Sequence, residues 1–521
     1  MTAILNTLCK NRTQTITLAA LIVLFLLAIQ GMETGDWIIT VLRGLSVAAV
    51  TFLVASGFSL IFGLMDVLNL AHGTLFMIGA YVGWTAYVRP DTLLDLATPA
   101  ALFFAGLLLL PLWDHWLSRA RRTLGTGRVL SWAIIVLGLA VLAFGFLRYP
   151  ITGWDVTVYD KSPVVFGVQL DLGQLDLPKP AQVDSAQLVL SMVSVFVGGG
   201  LLALGLTGLA LRNRGARAAT RFPWRAVVLV LALIFAGIVI YLLNDALTAG
   251  LVAAGTTWRF FFAVIVATLV GAGLGALMES TLIRPLYARP IYQLMLTLGL
   301  GVIGREVVIA LWGRTQMQMP KPALFNTVGK GCPAQTLWDA LANQCSTFNF
   351  MGTRIRTYNE IFIFVVGVIV LIAVWLLLQR TRIGMIIRAG VQDRAMVEAL
   401  GINVRQVFTF VFALGVALAA LGGVLAGPSM GVSDDMGESL LLSALIALAI
   451  GGLTSFPGAA VGSLLVGLLQ QFIVKYGQIG IALPFLAQPF KPTPPLVPAS
   501  TLLLMIIILL VMPNGLLGRK E

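Results

Sequence analysis

Charge-free apolar runs long enough to cross a bilayer constrain this chain more than any other feature. A spanning helix needs about 20 apolar residues. Runs of that order lie at 13–32, 44–65, 129–147, 185–211, 226–244, 260–278, 361–379, 406–433, 439–474 and 492–518, with shorter ones at 73–88, 96–113 and 290–304. They are uniformly apolar, without the period-2 alternation of a membrane barrel. Hydrocarbon offers no partner for free N–H and C=O groups, so such segments are expected to be helices. Only 11% of the residues are charged and 59% are hydrophobic, whereas a soluble domain carries about 25% charged residues. The fold class is therefore all-α and polytopic.

The net charge of +12 bears first on topology. In a soluble protein such a balance would point to nucleic acid; here the basic residues fall in loops between spans, so no nucleic-acid partner is expected. Loop 113–128 has four Arg against one Asp, loop 212–225 has five Arg and no acid, and loop 148–184 has five Asp against three basic residues. Placing the Arg-rich loops in the cytoplasm lets the rest alternate, giving about fourteen crossings with both termini inside. The basic start Lys10–Arg12 with 13–32 could pass for a signal peptide, but no convincing small-x-small site follows. A retained first span is the better reading, with Cys9 cytoplasmic. Cys332 and Cys345 fall in loop 314–359, which the alternation places outside, where a disulfide that stabilises the loop is favoured over two unrelated thiols.

Three regions follow. Residues 1–90 form an N-terminal core with about three spans, 91–250 an inserted transmembrane region of about four, and 251–521 a C-terminal core denser in Gly, Pro and charged loops. An even number of inserted spans leaves the topology of the rest unchanged.

In the segment Phe62–Trp84, Asp66, Asn69 and His72 lie three apart and would share one face of a helix. Polar groups at membrane depth line a cavity or pair internally, so the segment reads as a broken helix whose polar end lines a path. The plain alternative is a turn between spans with His72 capping a helix. Arg305 and Glu306 interrupt an apolar stretch. They are either functional or structural, and being adjacent on a helix each needs its own partner. Gly299, Gly301 and Gly304 spell G-x-G-x-x-G, but inside a membrane span this is helix packing, not a dinucleotide loop. No phosphate-loop motif occurs, so any ATP must be bound by another chain. With two His, at 72 and 115, and no ligand-spaced cluster, no metal, cofactor or catalytic set is expected.

The polar loop 380–406 carries Arg380, Arg382, Arg388 and Arg394 against Asp393 and Glu398. Arg388–Leu400 has an amphipathic pattern, with Ile386, Ile387, Met396, Val397 and Leu400 among the charges. It reads either as a membrane-surface helix holding anionic lipid or as a helix docking a cytoplasmic partner.

Four stretches resemble the permease subunits of branched-chain amino acid ABC importers of the LivH type. They are GLMDVLNLAHGTLFMIGAY (63–81), ESTLIRPLYARP (279–290) with LTLGLGVIGREVVIALWG (296–313), TRIGMIIRAGVQDRAMVEALGINVRQVFTFVFALGVALAALGGVLAG (381–427), and GGLTSFPGAAVGSLLVGLLQ (451–470) with MPNGLLG (512–518). The resemblance covers roughly 30–90 and 255–521 and finds no counterpart for 91–250. Met512 stands where the family usually has Arg, and Glu398-Ala399-Leu400-Gly401 is similar to its E-A-A…G. The resemblance implies a non-enzymatic subunit of the bacterial inner membrane, moving branched-chain amino acids or similar small solutes by alternating access. Its implied partners are two ATP-binding subunits, a second permease and a periplasmic substrate-binding protein. It also implies coupling through Arg388, Asp393, Met396, Glu398, Ala399 and Gly401, and a path through Asp66, Asn69, His72, Arg305 and Glu306. The competing reading is an ion-coupled secondary transporter, for which Glu306 is the one strong intramembrane carboxylate; a purely structural membrane protein comes after it.

Overall fold

The computed structural model describes residues 12–120, 128–151, 184–213, 222–287, 289–329, 331–392, 394–481 and 488–518. The chain opens with α1 Arg12–Gln30, α2 Thr34–Met65 and α3 His72–Val88. It continues through α4 Pro90–Leu107, α5 Leu110–Ala120, α6 Arg128–Arg148, α7 Ser185–Asn213, α8 Trp224–Leu242 and α9 Asn244–Ala253. There follow α10 Gly255–Met278, α11 Pro290–Trp312, α12 Leu337–Ala342, β1 Thr347–Phe350, β2 Thr353–Arg356 and α13 Ile363–Arg380. Last come α14 Arg382–Gln392, α15 Arg394–Ala399, α16 Val404–Met430, α17 Met436–Gly451, α18 Phe456–Ile479 and α19 Leu496–Val511. Among the described residues, 10 helices are long and apolar enough to cross a membrane by length and composition, and α17 and α19 are shorter apolar helices. The all-α expectation holds except for the antiparallel hairpin β1–β2, which pairs Thr347 with Arg356 and Phe350 with Thr353.

Contacts divide the chain into one unit of residues 1–84 with 260–521 and a second of 85–259. In the first, α2 packs against α16 and α18 at points where only small residues fit. A Cβ on Gly415 would lie 2.7 Å from the Gly57 carbonyl oxygen, and one on Gly467 would lie 2.6 Å from that of Gly44. Such close backbone approach supplies the dispersion contacts that hold membrane helices together, since lipid tails remove the hydrophobic driving force between them. Ile61, Val67, Leu75, Met278, Phe412 and Val416 form a buried cluster joining α2, α3, α10 and α16. A second cluster joins α17, α18 and α19 through Ile450, Val466, Ile508 and Leu516. At the N-terminal end of α2, Ile38 packs with Ala334, Ala340, Phe348 and Ile355 of the loop that carries the hairpin. There Cys332 and Cys345 are disulfide-bonded, with Cα atoms 5.6 Å apart.

In the second unit, α4, α6, α7 and α8 pack in pairs. Ser191 Oγ donates to the Gly145 carbonyl at 2.7 Å, tying α7 to α6, and Thr98 Oγ1 donates to the Gly237 carbonyl at 3.1 Å, tying α4 to α8. Polar side chains buried at one end are paired: Arg89 binds Asp91 through two hydrogen bonds of 3.1 and 2.8 Å, and Asn244 donates to Asp95 at 2.7 Å. The other faces are apolar and open, with Val129, Leu147, Trp224 and Leu242 among the most exposed.

Candidate functional site

Helix α2 ends in a sharp break. Asp66 adopts the left-handed conformation (φ 53°) and its N–H closes the helix onto the Phe62 carbonyl at 2.9 Å. Asp is among the few non-glycine residues that take up this conformation with ease. Residues 66–71 are not helical, and α3 begins at His72, whose N–H donates to the Asn69 carbonyl. The break separates the three polar residues that a continuous helix would align: Asp66 is exposed, while Asn69 and His72 are fully buried. His72 Nε2 lies 3.2 Å from the Val54 carbonyl and the ring meets Phe58 edge-on. Neither side-chain polar atom of Asn69 makes a hydrogen bond to the chain, nor does His72 Nδ1. Helix α11 clamps the segment: Leu70 N–H donates to Thr297 Oγ1 at 3.3 Å and Thr74 Oγ1 donates to the Gly301 carbonyl at 3.2 Å. Gly301 and Gly304 of the G-x-G-x-x-G run both face Thr74, so there the run serves helix contact.

Arg305 and Glu306 diverge, as neighbours on a helix must. Arg305 pairs with Asp434 at 3.0 Å and Glu438 at 3.5 Å, joining α11 to the start of α17. Glu306 is exposed.

The polar segment forms two short helices, α14 and α15. The first starts earlier than the amphipathic pattern indicates, at Arg382, because Thr381 Oγ1 accepts the Gly384 N–H at 3.1 Å and caps it. Ile387 and Val397 turn inward, while Ile383, Met385, Met396 and Leu400 are exposed. Arg388 donates to Gln379 Oε1 at 2.6 Å; Glu398 and Ala399 are exposed; Asp393 lies outside the described residues. Gly401 takes φ 79° and its N–H donates to the Glu398 carbonyl at 3.0 Å, the left-handed turn that ends a helix and redirects the chain. Helix α16 begins three residues later.

A network that the residue-by-residue reading missed is anchored on the helix that follows this turn. A π-helical turn, Glu279–Ile283, follows α10 and buries Glu279 completely. Arg284 binds its carboxylate in a fork of 3.2 and 2.8 Å. Tyr287 donates to the same carboxylate. Thr409, on the second turn of α16, lies 2.6 Å from Glu279 Oε2 and 2.7 Å from Arg284 Nη2. The signal in the sequence was an acid, a base and a tyrosine beside a proline at a span end; the partner on α16, 130 residues away in sequence, leaves no local trace. Among the described residues, no His, Cys, Asp and Glu group is placed to hold a metal ion.

A helical bundle with a broken helix at its centre, and a charged helical elbow between spans, defines the class: a multi-pass membrane permease. The family model described as "Branched-chain amino acid transport system / permease component" matches residues 40–175 and 190–512, and the chain belongs to that family. Its matched range includes most of 91–250. The permease protein LivH of the high-affinity branched-chain amino acid transport system from Salmonella typhimurium (strain LT2) is 29% identical over 276 residues, 52% of this chain and 76% of that protein. The corresponding BraD of Pseudomonas aeruginosa (strain PAO1) is 36% identical over 183 residues, 33% of this chain and 51% of that protein. The fructose import permease FrcC of Rhizobium meliloti is 27% identical over 233 residues, 44% of this chain and 58% of that protein. No solved structure matches the chain. The chain is the permease subunit of an ABC importer, not an enzyme, and such a subunit works with ATP-binding and substrate-binding partners. The ion-coupled alternative is not favoured.

Proposed function

We propose that this subunit carries branched-chain amino acids across the bacterial inner membrane, together with a second permease, two ATP-binding subunits and a periplasmic substrate-binding protein. The names of LivH and BraD support that substrate class over the sugar of the more distant FrcC. In this reading the chain crosses the membrane about fourteen times with both termini inside, the disulfide loop lies outside, and 91–250 is an insertion flanked by two core regions.

The observation that carries the reading is the elbow. Two buried anchors, Ile387 and Val397, fix α14 and α15 to the bundle, while four large apolar side chains are displayed outward among charges. A helix presenting apolar anchors to a groove is a recurrent docking mode, and the ATP-binding subunits are the occupants proposed here, with lipid as the weaker alternative. Arg388, Asp393, Met396, Glu398, Ala399 and Gly401 are the proposed coupling positions. Closure of the ATP-binding subunits then pushes on α15, and the Gly401 turn passes the movement to α16. The network of Glu279, Arg284 and Thr409 would pass it on to the α10–α11 junction. Asn69 and His72 support a path through the α2–α3 break: the Asn69 amide and His72 Nδ1 are buried without a hydrogen bond to the chain, which is costly, and a state in which that break meets water or substrate relieves the cost. Asp66, Arg305 and Glu306 are proposed at its margins.

Replacing Gly401 with valine tests the elbow. A Cβ there meets no atom within 4 Å, but valine must hold a left-handed backbone, a strain of order 1–3 kcal/mol. The expected outcome is uptake lowered about tenfold or more with unchanged membrane level. Normal uptake at normal expression would defeat the assignment of the elbow.

A further inference from the structure

Helices α2 and α18 face each other across a cavity of about 150 Å³, on the side of the first unit that carries the disulfide loop. At roughly 30 Å³ per water, it holds a small solute and nothing drug-sized. Asp36, Ile39 and Arg43 line it from successive turns of α2, and Gln471, Val474 and Lys475 from α18. Both charge signs, amide groups and two branched apolar side chains thus meet in one small space.

One pair has a sufficient structural explanation. Lys475 Nζ lies 2.7 Å from Asp36 Oδ1, with the acid in the first turn of one helix and the base near the end of the other, as the helix dipoles favour. Arg43 is paired as well, but through its Nε. It lies two turns below Asp36, roughly 10 Å deeper along the helix, where a charged side chain is expected to face a path or a partner and not lipid. Its Nε donates to Glu360 at 3.0 Å, and Glu360, 2% exposed, also accepts the Arg356 N–H. That bond fixes the guanidinium without consuming it, because arginine carries five N–H donors. The side chain is 43% exposed and Arg43 is one of the residues lining the cavity. The cavity therefore offers a surplus of oriented donors, one carboxylate, and an apolar wall formed by Ile39 and Val474.

We propose that this cavity is a binding site for a small zwitterionic α-amino acid with an apolar side chain. The carboxylate is held by the outer N–H groups of Arg43 and by Gln471, the ammonium group by Asp36, which then shares its carboxylate between the ligand and Lys475, and the side chain by Ile39 and Val474. Planar, forked recognition of a carboxylate is what arginine does best. The proposal rests on the substrate class given above and adds a place where that substrate touches this chain, on the face it enters from.

The test uses the full-length chain in lipid nanodiscs, with equilibrium binding of L-[³H]leucine read by scintillation proximity, beside ATP-driven leucine uptake by the assembled importer. Arg43→Gln is expected to raise the half-saturating concentration about tenfold or more, the scale of one charge-assisted hydrogen bond, and Arg43→Lys to recover part of it. Val474→Phe, which fills the cavity without touching a charge, is expected to abolish binding at unchanged protein level. An importer that takes up leucine while its wild-type permease binds none, or binds it equally well in Arg43→Gln and Val474→Phe, would overturn the site and leave the function standing. A wild-type importer that does not take up leucine would overturn both.

Discussion

Helices α2 and α8 are nearly equal in hydropathy and opposite in burial. Their most apolar windows average 2.2 and 2.6, yet 83% of the first is buried inside the molecule and 11% of the second. Among the described residues of the second unit no spanning helix exceeds 44%, whereas α2 and α16 of the first reach 83% and 67%. Hydropathy therefore says that a segment belongs in the membrane, not whether it meets lipid or protein. These two helices also differ in their small residues. Helix α2 carries Gly44, Ser46, Ser56, Gly57, Ser59 and Gly63, while α8 is almost wholly Val, Leu, Ile, Ala and Phe with Gly237 alone. Small side chains let backbones approach, and large branched ones face hydrocarbon at no cost.

The largest expected effect comes from filling the closest approach. Gly57→Leu sets a side chain against the Gly415 backbone and the His72 ring, and backbone cannot move aside as a flexible side chain can. Most of the folded protein should be lost from the membrane, read by fluorescence-detected size exclusion. Gly237→Ala, whose new methyl would meet Ala101 Cβ at 3.4 Å, should be tolerated. Equal loss in both would break the comparison.

A buried ion pair broken on one side comes next. Glu279→Ala leaves Arg284 and Tyr287 without their acceptor and should cost about 3–5 kcal/mol, seen as a lower thermal midpoint. Glu279→Gln retains the shape and should cost less. Replacing Cys332 and Cys345 together with serine should cost about 2–4 kcal/mol, the usual worth of a bridge, measured by heat-induced aggregation. Smallest of all, Val228→Ala on the open face of α8, where the side chain is 62% exposed, should change stability by no more than about 0.5 kcal/mol. A larger loss would mean that this face packs against protein instead of lipid.

The same contrast marks what could be read in the sequence. Uniform apolar runs made the helical membrane class legible, and the stretch 381–427 made the family legible, because its charges and glycines stand out between spans. The spacing of Asp66, Asn69 and His72 misled in one respect. It suggested one shared face, whereas within the broken helix the left-handed turn at Asp66 puts that residue in the open and the other two in the interior. Thr381, an ordinary residue at the end of a span, sets the start of α14 through a cap that periodicity does not weigh. The ties of Glu279 to Thr409 and of Arg305 to Asp434 join residues 130 and 129 apart, where a single sequence carries no pairing signal. The cavity beside Arg43 was hidden for a like reason: each of its two polar stripes lies at the end of an apolar run and looks, alone, like a membrane border.

The most direct test of the central claim is gentle affinity purification of the full chain from its native membrane, with identification of what remains bound and a parallel uptake assay. The account predicts a pair of ATP-binding subunits and a second permease in the complex, and uptake that stops when ATP is depleted. Recovery of the chain alone, with uptake that survives ATP depletion but fails when the ion gradient collapses, would contradict it.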